Sequence, residues 1–152
     1  MDIIFLDIDG VLRTTKSDIW WSTKLSQPIP DNLFERRFDP NSVSLINQIT
    51  NLTISKIVII STWRTNFNFD ELKMKLFSRG IHAQVVGTTP VLENRGIEIQ
   101  YWLDTNSVNN YVVIDDNIND IVNHINPNKI VKCESKDGFT QKEFDKVIDI
   151  LA

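Results

Sequence analysis

Five short apolar runs, alternating with helical patterns and each stopping at a polar residue or a glycine, constrain this chain more than any other feature. Residues Ile3 to Asp7 are apolar on both faces and β-rich, as in a strand buried within a parallel sheet, and the turn former Gly10 follows. Further runs at Ile57 to Ile60, Ala83 to Val86 and Tyr111 to Ile114 end at Ser61, Gly87 and Asp115, and a weaker fifth covers Lys129 to Cys133. A first helix starts at Asp39 and Pro40, with Val43, Ile46, Ile49 and Leu52 at helical spacing. A second runs from Asp70 to Arg79, with Leu72, Leu76 and Phe77 on one face and Gly80 as its left-handed stop. A third covers Gly96 to Leu103, and a short fourth follows Asp116. The last opens with Thr140 and Glu143 in capping-box spacing before Phe144, Val147, Ile148 and Leu151.

Such alternation predicts an α/β domain with a mainly parallel five-stranded sheet, helices on both faces and a ligand site at the carboxyl ends of the strands. The exception is residues 13–38, which have no clear period and read as an ordered loop or flap holding Trp20, Trp21, Pro28, Pro30, Arg36 and Arg37. At 152 residues, with no repeat, low-complexity tract or linker, residues 1–152 are expected to form one domain. With 41% hydrophobic and 24% charged residues the chain is neither fibrous nor disordered. No apolar run approaches the roughly 20 residues that cross a bilayer. Asp2, Asp7 and Asp9 argue against an export signal, and the single Cys133 forms neither an internal disulfide nor a thiolate zinc site. These features suit a reducing, cytoplasmic setting. A net charge of -4 offers no global attraction to polyanions, so a phosphorylated ligand has to be held by local cations.

Two acid clusters stand at strand ends. Asp7 and Asp9 flank Ile8 at the end of the first run; Asp115, Asp116 and Asp120 follow the fourth. Buried carboxylates without a counter-charge are costly, so a cation between them is the economical arrangement. Hard oxygen ligands without His or Cys select Mg²⁺, whose open positions suit phosphate chemistry.

With Asp7-Ile8-Asp9-Gly10-Val11-Leu12 on the first strand, a Ser/Thr closing the second, a basic residue ahead of a later helix and an acid pair closing the fourth, residues 3 to 120 resemble the haloacid dehalogenase (HAD) superfamily of phosphatases. More narrowly, Ser61-Thr62-Trp63-Arg64, then Arg95-Gly96-Ile97-Glu98-Ile99 with Tyr101-Trp102-Leu103, and Gly138-Phe139-Thr140 look like the HAD domain of Swiss Army Knife RNA repair proteins. The last motif has Phe where Leu is usual.

The resemblance implies a Rossmann-like core and a role for each motif residue. Asp7 is the nucleophile forming an aspartyl-phosphate, and Asp9 is the acid and base, contributing also to the metal site. Ser61 or Thr62 hydrogen-bonds the phosphoryl oxygens, beside Gly10, and Arg95 neutralises their charge where Lys is more usual. The metal set is Asp7, Asp9, Asp115, Asp116 and Asp120, with Asp116 the best match to the ligand and Asp115 an alternative. Intervals of this size leave no room for a cap domain, which suits a phosphate on a macromolecule such as an RNA or DNA end. Trp20, Trp21, Arg36, Arg37 and Trp63 are candidates to line the entrance, stacking on bases and pairing with phosphates, although aromatic packing alone explains the flap tryptophans. Arg64 is read as a phosphate contact, with an acid partner as the alternative. His82, His124 and Cys133 read as structural, and Thr140 as a helix cap. Competing readings are a phosphatase of small phosphometabolites or nucleotides, a phospho-accepting receiver domain, and a phosphate-binding module without turnover; a monomer is the default.

Overall fold

The computed structural model describes residues 1–152. Strands β1 (Asp2–Leu6), β2 (Lys56–Ile59), β3 (Val85–Thr88), β4 (Asn110–Asp115) and β5 (Ile130–Lys132) form a five-stranded sheet in the order β3-β2-β1-β4-β5, parallel throughout. Because strand side chains alternate between faces, one face presents Ile4, Leu6, Ile57, Ile59, Val112 and Ile114 to a core completed by helices α2 (Pro40–Thr53), α3 (Phe69–Ser78) and α5 (Gln141–Leu151). The other presents Ile3, Phe5, Val58, Ile60 and Val113 to Ile99 and Trp102 of α4 (Arg95–Thr105) and to Ile121 and Ile125. There is no cap domain. No helix is long and apolar enough to cross a membrane.

Several expectations are corrected. The 13–38 segment is not only loop: it contains α1 (Thr15–Leu25). Its start rests on a reciprocal Thr14–Ser17 box rather than a Glu or Gln, and its end on Ser26 in a left-handed conformation rather than on Gly. Only Ser17 and Asp18 of this helix are buried, so no apolar stripe announces it. Leu52 and Phe77 lie on the solvent side of their helices. No helix follows Asp116; residues 118–125 make successive tight turns closed by the Ile118 and Ile121 carbonyls. β3 starts two residues later than its apolar run, with Gly87 inside it beneath the Trp102 ring.

Two glycines shape the loops around the strand ends. Gly10 has φ +80°, and a Cβ there would lie 2.2 Å from Asp116 Oδ2, so only glycine lets the fourth-strand acid close over the first-strand loop. Gly138 (φ +70°) packs on the Val11 carbonyl, which also accepts the Phe139 N–H at 2.8 Å. The Gly-Phe-Thr motif thus clamps the C-terminal region onto the loop after β1. Thr140 donates its hydroxyl to Glu143 at 2.9 Å at the head of α5.

Candidate active site

Parallel pairing brings the ends of β1 and β4 level, because Leu6 is in register with Ile114 and the Asp7 N–H donates to the Ile114 carbonyl at 3.0 Å. Asp7 and Asp115 therefore leave adjacent strands side by side, both buried. Carboxylate oxygens of Asp7, Asp115 and Asp116 lie within 4.8 Å of one another. Arg95, first residue of α4, reaches between the two buried acids, with Nη1 2.5 Å from Asp115 Oδ2 and 3.3 Å from Asp7 Oδ2.

The charge arithmetic is unfavourable as it stands. Burial, reinforced by the neighbouring Asp115, pushes the Asp7 carboxyl well above its ordinary value although Arg95 pulls the other way. Burial likewise raises Asp115. Burial disfavours the Arg95 cation, yet Asp7 and Asp115 together hold it above its usual range. Two buried carboxylates share one guanidinium and a third carboxylate stands beside them, a deficit of positive charge that a hard divalent cation among their oxygens would correct. The donor set fits Mg²⁺ in charge and chemistry.

The cavity above these groups, about 400 Å³, is lined by Asp7, Asp9, Thr62, Arg95, Asp116, Asn117 and Asp120, with no hydrophobic residue among them. Asp9 lines the same cavity as Asp7, nearer solvent. Its Oδ1 accepts from Arg13 Nε at 2.7 Å and its Oδ2 from Trp63 Nε1 at 3.0 Å.

The expected residues separate on inspection. The side-chain carboxylates of Asp7, Asp115 and Asp116 converge, whereas those of Asp9 and Asp120 stand outside that group while still lining the cavity. Asp116 also accepts from Ser135 Oγ at 3.0 Å. Ser61 is buried, and its hydroxyl accepts the Trp63 N–H at 3.2 Å to cap the 3₁₀ turn Thr62–Thr65. Thr62, not Ser61, lines the cavity.

Arg64 is not placed for phosphate. Its side chain is 5% exposed; it donates to the carbonyls of Thr89, Ile60, Ser61 and Pro90 and pairs with Glu98 at 2.9 Å, which occupies all five N–H groups. Trp20, Trp21, Arg36, Arg37 and Trp63 do not line the acid cavity either. Trp63 is fully buried, while Trp21, Arg36 and Arg37 border a separate small cleft in the flap beside Asp18. Sequence reasoning missed Asn117 at the cavity wall and the Arg13 and Trp63 contacts to Asp9. An Arg four residues after Asp9 was visible, but only a folded-back loop makes that spacing a contact.

A parallel α/β core with an acid cluster and one basic residue at the carboxyl edge of its central strands defines the class of α/β domain that binds its ligands at that edge. Within that class, the chain belongs to the family described as the HAD domain in Swiss Army Knife RNA repair proteins, which it matches over residues 3–144. No curated protein and no solved structure matches the chain.

Proposed function

We propose that this protein is a Mg²⁺-dependent phosphomonoesterase working through an aspartyl-phosphate on Asp7, on a phosphate carried at the end of a macromolecule such as RNA or DNA. Family membership supports a HAD-type phosphatase in general. The observation that carries the finer reading is the clustering of Asp7, Asp115 and Asp116, the first two sharing Arg95, beneath an open, wholly polar cavity.

Asp7, Asp115 and Asp116 would hold the cation, which when bound neutralises charge on the acid cluster and on phosphoryl oxygens. A carboxylate oxygen of Asp7 attacks phosphorus while the bond to the leaving oxygen breaks, and Asp9 gives that oxygen a proton. Water then attacks phosphorus, Asp9 takes back a proton, and the bond between phosphorus and Asp7 breaks, restoring both acids. Arg95 and the Thr62 hydroxyl face the phosphoryl oxygens, where charge rises in each transition state.

The macromolecular substrate is favoured by the missing cap.

The test is Mg²⁺-dependent phosphate release from an aryl phosphate and from 5′- and 3′-phosphorylated RNA and DNA oligonucleotides, with Asp7→Asn as control. End-selective release that the variant lacks is expected. Release from the aryl phosphate alone withdraws the nucleic-acid substrate, and no release from any of them withdraws the enzyme.

A further inference from the structure

We infer that Trp63 and Arg13 are positioning residues for Asp9, fixing from two different elements the side chain that moves the proton in the reaction proposed above. The inference rests on that reaction. Asp9 is more open than Asp7, its side chain 30% exposed against 5%, and an unrestrained aspartate there would sample several rotamers. Instead each oxygen has one fixed donor, Arg13 Nε at 2.7 Å and Trp63 Nε1 at 3.0 Å. A carboxylate offers about four lone-pair sites, so each oxygen keeps one for a proton.

Both donors are anchored. The Trp63 ring is fully buried, edge-on to Phe34 at 5.1 Å and Phe38 at 5.7 Å, with the Arg79 guanidinium over it at 5.5 Å. Its only polar side-chain group is the N–H aimed at Asp9. Arg13 is brought back by the loop after β1, where the Ile8 carbonyl accepts the N–H groups of Val11, Leu12 and Arg13, and Gly10 donates to the Arg13 carbonyl at 2.7 Å. Its Nη1 then donates at 2.7 Å to Asp18 of α1, whose carboxylate also takes Arg36 at 3.1 Å. Asp18 is 4% exposed, so Arg13 spans from Asp9 to a buried anchor in the flap helix. Neither Arg13 nor Trp63 gives or takes the proton; they fix where Asp9 presents it, and proton transfer demands hydrogen-bond reach in the transition state.

The readout is dependence on the leaving group. A 2,4-dinitrophenolate departs without a proton, whereas phenolate needs one, so loss of Asp9 placement falls on phenyl phosphate. With Mg²⁺, kcat/KM of Trp63→Phe and Arg13→Gln for phenyl phosphate is expected to drop about 10- to 100-fold, against less than about 3-fold for 2,4-dinitrophenyl phosphate. Asp9→Asn gives the limiting ratio. A merely structural role lowers both esters alike, and that result overturns the inference. Thermal melts confirm folding; if Trp63→Phe fails to fold, Arg13→Gln decides, since Arg13 stands outside the aromatic cluster. Absence of turnover in the wild-type protein is seen before any variant is compared, and overturns the phosphatase reading and this inference together.

Discussion

A guanidinium with all five N–H groups occupied has nothing left with which to hold a phosphate, and Arg64 is in that position. Replacing it strands Glu98, itself 6% exposed, and frees four carbonyls. Arg64→Met is therefore expected to lower unfolding free energy by about 3–5 kcal/mol, measured by urea titration, rather than to act through KM. Asp7 behaves in the opposite sense. Its buried charge opposes folding when no cation is present, so Asp7→Asn is expected to raise the melting temperature of the metal-free protein while abolishing phosphate release. A metal-free variant less stable than wild type would show the acid cluster to be self-sufficient. At this scale the sequence made Asp7 and Arg95 legible, because acids and a base at strand ends have few structural uses. Arg13 and Trp63 were not legible in their observed roles, and for Arg64 the acid partner it takes in Glu98 was legible only as the alternative to a phosphate. Whether an Arg meets a phosphate, an acid or a ring of carbonyls depends on loop paths that residue type does not encode.

Helix ends carry a similar lesson. The chain leaves α2 through Ile54 at φ +53°, a left-handed conformation disfavoured for a β-branched residue, and that side chain is 83% exposed. Asn tolerates this conformation and little burial is lost, so Ile54→Asn is expected to stabilise the fold by about 0.5–1 kcal/mol, read as a melting temperature higher by about 2–3 °C. Strands were the most legible elements, since burial on both faces leaves uninterrupted apolar runs. Helices α2, α3 and α5 were legible through caps and spacing, although the capped face was overextended to Leu52 and Phe77. α1 escaped because it buries two polar residues and no apolar stripe: its amphipathic signal is absent, and its Asp18 is held by Arg13 and Arg36 instead. The turns at 118–125 failed for the converse reason. Ile121 and Ile125 are spaced like a helix face and are buried like one, but the backbone between them never settles into a continuous ladder.

Across the whole molecule, the acid cluster couples metal, pH and stability. Asp7 and Asp115 both have folded-state values above the ordinary 3.8. Between the unfolded and folded values the native state holds more protons, so stability of the metal-free protein falls as pH rises through that window and the penalty is complete above it. Mg²⁺ held as proposed would compete with those protons and bind only the assembled site. Scanning calorimetry at several pH values is expected to give a Mg²⁺-induced rise in melting temperature that is larger at neutral pH than at mildly acidic pH; a rise independent of pH would place the cation elsewhere. The uncapped sheet edge leaves this site open, and the proposed chemistry turns on a single bond. Asp9→Asn with 2,4-dinitrophenyl phosphate isolates it, because that ester can phosphorylate Asp7 without a proton donor and the product then lacks its base for hydrolysis. Borohydride reduction converts an aspartyl-phosphate to homoserine with release of the phosphate, and peptide mass spectrometry is expected to find that homoserine in place of Asp7; homoserine in place of another aspartate, or turnover with Asp7 never modified, would contradict the account.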